Sequence, residues 1–133
     1  MGIPHTHRPA VIREVKEWKR ALWREVKSGD RLEDKFQALK ILIEKISDHY
    51  EKGRPLVSFK PTLQGGTHNP ATHEIIIGKE LSIITALHEL AHFLFGADEE
   101  KACRWSVWLF KKTFPKAFSQ LEWEGHLLRR RKI

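Results

Sequence analysis

The sequence predicts a small α+β domain, and three observations lead to this prediction. Apolar residues recur at helical spacing over the first 50 residues, two short β-type segments follow, and helical periodicity returns in the second half. With 133 residues, 41% of them hydrophobic and 31% charged, the chain has the size and composition of one globular unit. We therefore predict a single domain over residues 1–133, divided into N-terminal helices (1–55), a core segment (56–114) and a basic C-terminal helix or tail (115–133).

Two amphipathic helices are predicted in the N-terminal segment. Apolar residues at helical spacing place the first over residues 9–27, and the Ser-Gly-Asp sequence at 28–30 is its stop. A second apolar stripe places the next helix over about residues 31–50, before the Gly and Pro of residues 53–55. Because the connection between them is short, these helices are expected to pack as a hairpin.

Two short strands are predicted to follow the helical pair. Leu56–Phe59 and His73–Ile77 are rich in apolar and β-branched residues, and a connection rich in Gly, Pro and Asn separates them. An antiparallel hairpin or small sheet is the simplest arrangement. The free edge of the strand around Glu74–Ile77 could then align an extended peptide by main-chain pairing.

The next predicted helix carries a metal-binding motif. Ser82 can cap a helix that runs to Phe95, and within it His88 and His92 are four residues apart, so both lie on one face, one turn from each other. Glu89 lies about 100° round from His88, beside the same space. Two neutral imidazoles bind zinc without cancelling its charge, and a nearby carboxylate can take a proton from the bound water. This HExxH pattern predicts one Zn²⁺ per chain, with Glu89 as the catalytic base.

The rest of this helix favours a functional role for the motif. No Lys or Arg occurs from Leu81 to Gly96, which is unusual for a surface helix. Polar and apolar residues fall on opposite sides of the helical wheel. The polar arc consists of Ser82, Thr85, His88, Glu89, His92 and Gly96. The competing interpretation is that His88 and His92 are core histidines hydrogen-bonded to the backbone, with Glu89 as their partner, but burying three titratable groups without a metal is costly.

A third metal ligand is expected just after the motif, where Asp98, Glu99 and Glu100 follow one another. A helix capped by Asp98 and running from Glu99 to about Thr113 places Glu99 on the same face as Ala102 and Ser106, whose small side chains permit close approach to the preceding helix. Glu99 is therefore the preferred ligand. Asp98, six residues after His92, is the alternative, because zinc accepts either carboxylate.

Three stretches of the chain together resemble the ImmA/IrrE-type metallopeptidases. They begin at Asn69-Pro70 and continue to Ile77, then run from Ile84 to His92, and then from Glu99 to Ser106. Those proteins pair a strand hairpin with a helix bearing HExxH and a later Glu-x-x-Ala helix, and the resemblance covers about residues 56–114.

This resemblance implies a zincin-like domain with residues 56–114 as its metal-site core. It implies a gluzincin-like site in which His88, His92 and Glu99 bind the metal and Glu89 is the base. The implied activity is hydrolysis of a protein or peptide substrate. In such a reaction a further group usually stabilises the oxyanion. The candidates in this sequence are Tyr50, His68, His73 and His126.

The charge of the chain leads to an alternative hypothesis. A net charge of +7 favours attraction to polyanions, so the chain could be a nucleic-acid-associated binding protein with a structural or inactive zinc site. The contact surface would consist of Arg129 to Lys132 together with Lys16, Lys19, Arg20 and Arg24. Glu89 distinguishes the two hypotheses, because a structural zinc needs no general base beside its ligands.

Cysteine content and hydropathy indicate the cellular compartment that we expect. One cysteine can form neither an internal disulfide nor a Cys-based zinc site, so any zinc must be bound through His and carboxylate groups. No apolar run approaches the roughly 20 residues that span a bilayer, and the N-terminus lacks the apolar stretch of a signal peptide. We therefore expect a cytoplasmic protein without membrane contact.

Beyond Pro115, a last short helix is predicted over residues 118–130.

Overall fold

The computed structural model describes residues 6–124 and 127–130, with side chains described for residues 6–121. The first predicted helix is observed as one continuous rod. It consists of α1 (Pro9–Trp18), a π-helical segment (Lys19–Trp23) and a final turn, α2 (Arg24–Val26). Pro9 occupies the first helical turn, where its missing N–H leaves no hydrogen bond unmade.

The second predicted helix, α3 (Leu32–Asp48), packs against the first. Its apolar stripe is fully buried at Leu39, Leu42 and Ile43. The indole Nε1 of Trp18 donates a hydrogen bond to the Ala38 carbonyl oxygen over 2.9 Å, which ties the two helices together inside the core. The predicted helical pair is thus confirmed.

The sheet differs from the antiparallel hairpin or small sheet that we predicted, because the two predicted strands pair in parallel. It has three strands in the order β1-β3-β2, formed by β1 (Leu56–Phe59), β2 (Gly66–Asn69) and β3 (Glu74–Ile77). β1 runs parallel to β3, and β2 pairs antiparallel with β3 on its other side. The connection that we treated as a loop thus contains a strand, and a long connection of this kind is what a parallel pair requires.

The two helices of the second half agree with prediction. α4 (Ile83–Phe95) begins after Ser82, whose Oγ accepts a hydrogen bond from the Thr85 amide over 3.3 Å. α5 (Glu99–Thr113) begins after Asp98, whose carboxylate accepts from the Lys101 amide over 3.2 Å. α4 and α5 form the most extensive helix contact, and Leu87, Leu90 and Leu94 of α4 are fully buried.

The predicted C-terminal helix over residues 118–130 is wrong. A short helix, α6 (Pro115–Ser119), is followed by the antiparallel pair β4 (Leu121–Glu124) and β5 (Leu127–Arg130). Only a Gly-His dipeptide separates these strands in the sequence, and Gly as the first of two connecting residues favours a hairpin over a helix. The side chains of the basic run Arg129 to Lys132 lie outside the described residues.

A mixed α+β core holds these elements together. The buried residues include Ile75 and Ile77 of β3, so the sheet packs its alternate side chains against the helices. The part of the chain that the structure describes contains no helix with the length and apolar character that a bilayer crossing requires.

Candidate metal centre

The polar arc predicted on α4 lies at the boundary between core and solvent. His88, Glu89 and His92 are half-buried, whereas Leu87, Leu90 and Ala91 on the opposite side are fully buried. α4 is therefore anchored by its apolar side, and the motif residues lie where a small ligand can reach them.

α5 brings Glu99 to the motif. Ala102 and Ser106 are each 1% exposed, and their small side chains allow α5 to lie close to α4. Glu100 points elsewhere and pairs with Arg104 over 2.5 Å on the exposed side of the helix. Asp98 is occupied as the N-cap of α5. The geometry therefore brings Glu99 to the two histidines, and Asp98 has a separate structural duty.

Two imidazoles and one carboxylate converge at this point. His88 Nε2 lies 2.5 Å from Glu99 Oε1, and His92 Nε2 lies 3.2 Å from Glu99 Oε2. The rings of His88 and His92 are 4.9 Å apart and nearly perpendicular. One potential ligand atom from each residue lies within 4.8 Å of the other two, so the three residues are close enough together to bind a single cation.

The backbone holds the His92 ring in a metal-binding orientation. His92 Nδ1 lies 2.9 Å from the Gly96 carbonyl oxygen, which can only accept, so Nδ1 must carry the proton of this bond. Nε2 is therefore the ring nitrogen that faces the centre, 3.2 Å from Glu99 Oε2. Gly96 has a φ of 101°, a conformation that favours glycine, and this turn ends α4 where its carbonyl meets His92.

His88 lies next to Cys103, the only cysteine in the chain. Its Nδ1 is 3.8 Å from Cys103 Sγ, which also lies 3.8 Å from Glu99 Oε1. Burial lowers the pKa of His88 and outweighs the opposing attraction of Glu99. Burial and the neighbouring Glu99 both raise the pKa of Cys103. His88 is thereby biased toward the neutral imidazole that metals require.

Glu89 is covered by a strand that the sequence did not predict. A Cβ at Gly66 of β2 would lie 3.4 Å from Glu89 Cγ and 3.0 Å from Thr85 Cγ2, so β2 approaches α4 as closely as a glycine permits. Burial raises the pKa of the Glu89 carboxyl, partly offset by His92. A carboxyl group in this setting can both accept and return a proton.

The four oxyanion candidates have different positions. His68 lies on β2, its ring 6.1 Å from that of Phe93 on α4, and its Nε2 is buried without a hydrogen-bond partner among the described residues. Tyr50 is in the core, where its hydroxyl donates to the Thr6 carbonyl oxygen over 2.6 Å. His73 is exposed, and His126 lies outside the described residues. The fold therefore brings both His68 and His73 to Phe93 of α4, at 6.1 and 5.7 Å between ring centroids, and His68 is the half-buried one of the two.

The predicted substrate edge on Glu74–Ile77 is wrong, because β3 lies between β1 and β2 and both of its edges are paired. β2 pairs only with β3 within the described residues and lies beside α4. The strand edge next to the motif therefore belongs to Gly66–Asn69. The pair Gly65-Gly66 was its one sequence signal, and a glycine pair more often marks a turn.

Compared with protein-family models, curated proteins and solved structures, the chain has no match. The interpretation of this centre therefore rests on its own residues and geometry.

Proposed function

We propose that this chain is a zinc-dependent metallopeptidase that hydrolyses a peptide bond in a protein or peptide substrate. The observation that carries the proposal is the convergence of His88, His92 and Glu99, with Glu89 next to His88 on the same helix. Three protein ligands of the His₂Glu type are the usual donor set of a hydrolytic zinc, and they leave one position for water.

The residues fit a zinc ion in chemistry and in spacing. Zinc bonds to His and Glu of about 2.0–2.2 Å place tetrahedral ligand atoms about 3.3 Å apart. Glu99 Oε1 lies 2.5 Å from His88 Nε2 and Glu99 Oε2 lies 3.2 Å from His92 Nε2, and the three potential ligand atoms lie within 4.8 Å of one another, so adjustments of up to about 1.5 Å would accommodate the ion. The hydrogen bond from His92 to Gly96 is the outer-shell contact that such a ligand normally makes.

His88, His92 and Glu99 would hold the zinc, which would supply Lewis acidity and lower the pKa of a bound water to about 7. The protein's own residues then perform the proton transfers. Glu89 accepts the proton of the attacking water and returns it to the leaving amine, so that one carboxyl group serves both steps. Glu89 is half-buried beside Gly66, so its side chain is partly shielded from bulk water.

His68 is the group that we assign to the oxyanion. Its ring lies against Phe93 of α4, and burial, followed by the charges of His92 and His73, lowers the pKa of His68 and favours the neutral imidazole. A neutral imidazole donates from one nitrogen, and that donor can stabilise the negative charge that develops on a carbonyl oxygen.

The edge of β2 is the proposed binding site for the substrate backbone. An extended peptide paired with Gly66–Asn69 would run along α4, past the motif. Main-chain hydrogen bonds would bind any extended peptide, and specificity would depend on side-chain pockets on either side of it.

We also propose kinship with the ImmA/IrrE-type metallopeptidases, on the motif residues and the Glu99-Glu100-Lys101-Ala102 sequence quoted above. The alternative of a binding protein with a structural zinc has less support. A structural zinc normally has four protein ligands. Among the described residues three converge here, and Glu89, which is not one of them, lies next to His88.

The test is cleavage by the Glu89→Gln variant. We expect the purified chain with one equivalent of zinc to cleave a quenched-fluorescent peptide library, and Glu89→Gln to retain zinc but lose about 10²- to 10⁴-fold in rate. Glu100→Gln is the matched control, because its side chain pairs with Arg104 outside the centre. Undiminished cleavage by zinc-loaded Glu89→Gln would assign the chemistry to other residues.

A further inference from the structure

A basic groove lies between the N-terminal helical rod and the C-terminal end of α5. It has a volume of about 650 Å³, and seven of its eleven lining residues are Lys or Arg. Six of these cations are exposed: Arg13, Lys16, Arg20, Arg24, Lys27 and Lys112. The metal centre does not contribute to the groove.

The positive charge of this groove is not neutralised within the described part of the chain. None of its seven cations lies within ion-pair distance of a described carboxylate, and Glu17 is the one acidic residue in the lining. Burial, followed by the repulsion of Lys27 and Lys16, lowers the pKa of Lys19. A concave surface with this density of like charge concentrates anions.

An aromatic ring lies among these charges. Trp23 lines the groove and is half-buried, and its ring stacks on the buried Trp18 with centroids 5.3 Å apart and planes inclined by 19°. The stack holds the indole in place. Trp23 ends the π-helical segment Lys19–Trp23, and π-helical turns are frequent at functional sites.

We propose that this groove binds single-stranded nucleic acid. The cations would follow the phosphate backbone, and the fixed face of Trp23 would stack against a base; together these are the two contacts that sequence-tolerant single-strand binding uses. An acidic protein surface would match the charge but would leave Trp23 without a role. The groove shares no residue with the metal centre, so this proposal is independent of the peptidase activity.

The position of the groove has a consequence for the centre. Lys112 and Thr113 border the groove at one end of α5, and Glu99 lies at the other end. At 1.5 Å per residue these ends are about 20 Å apart. A bound strand would therefore hold the metal centre within reach of proteins carried by the same nucleic acid.

The experiment measures binding of fluorescein-labelled oligo-dT of about 20 nucleotides to the full chain by anisotropy, between 50 and 200 mM KCl. With about five phosphate contacts, log K should fall with log salt at a slope of about −3.5, which is about 100-fold over this range. The variant Arg20→Gln with Arg24→Gln removes two exposed cations and should make the slope less steep by about 1.4. Trp23→Leu should weaken binding by about 5- to 150-fold.

The matched control is Lys60→Gln with Lys79→Gln, which removes the same charge from exposed positions outside the groove and should leave the slope unchanged. An equal effect of both double variants would overturn the proposal, since net charge alone would then explain binding. Tighter binding of duplex DNA, or displacement of the oligonucleotide by polyglutamate at equal charge, would also overturn it. If Trp23→Leu disturbs folding, the variant Arg20→Gln with Arg24→Gln still tests the proposal, because both side chains are exposed.

Discussion

Gly66 of β2 lies against Thr85 of α4, beside Glu89, and a methyl group at position 66 would crowd Thr85 and the Ile76 carbonyl oxygen. A Cβ on Gly66 would lie 3.4 Å from Glu89 Cγ, 3.2 Å from the Ile76 carbonyl oxygen and 3.0 Å from Thr85 Cγ2. β2 thus packs closely against α4. Because residue 66 has no side chain, the strand can come close enough to cover Glu89.

The first prediction concerns this contact. Gly66→Ala should lower the free energy of unfolding by about 1 to 3 kcal/mol in denaturant titrations, because the added methyl group overpacks the site. Zinc should remain bound while peptide cleavage falls, since the methyl group contacts Glu89 and none of the three ligands. Gly29→Ala is the control: its new Cβ would lie 3.5 Å from the Val26 carbonyl oxygen, an ordinary contact. Unchanged stability of Gly66→Ala would show that β2 is held less closely.

The second prediction concerns His68. If its imidazole donates to the oxyanion, His68→Gln should lower kcat by about 10²- to 10³-fold with little change in KM. His73→Gln is the matched control, because its ring also lies edge-on to Phe93, at 5.7 Å, but its side chain is exposed. Equal losses in both variants, or a change in KM alone, would remove His68 from the reaction.

The third prediction concerns the ionisation of Tyr50, the only tyrosine in the chain. Burial raises the pKa of its phenol, and the hydrogen bond from Trp105 only partly offsets this. The absorbance of the native protein near 295 nm should therefore titrate above the value of about 10 expected in guanidinium. The neutral phenol stabilises the fold below pH about 10, and this contribution is lost as the pH rises through the folded pKa. A native titration at the unfolded value would place Tyr50 in water.

The sequence was sufficient where local rules decide structure. Ser82 and Asp98 are caps whose side chains bond to amides three residues on, so both helix starts could be predicted from short-range chemistry. The choice of Glu99 over Glu100 followed from helical spacing, and the structure directs Glu99 toward the histidines and Glu100 toward Arg104.

The sequence was insufficient where pairing between distant segments decides structure. β2 contains Gly66, Thr67, His68 and Asn69, with no apolar residue to give a strand period, and it forms because β3 offers a free edge beside α4. The parallel pairing of β1 with β3 is a property of the connection and has no local signal. Because β2 has no local sequence signal, its position over Glu89 could not be predicted.

The measurement that tests the central claim most directly is the zinc content of the purified chain and of three variants. We predict one zinc per chain, its loss in His92→Ala, and binding more than about 100-fold weaker in Glu99→Gln, since even outer-shell changes cost about 10- to 100-fold. Asp98→Asn, which preserves the helix cap, should bind zinc normally. A metal-free native protein, or loss of zinc in Asp98→Asn with retention in Glu99→Gln, would contradict the account.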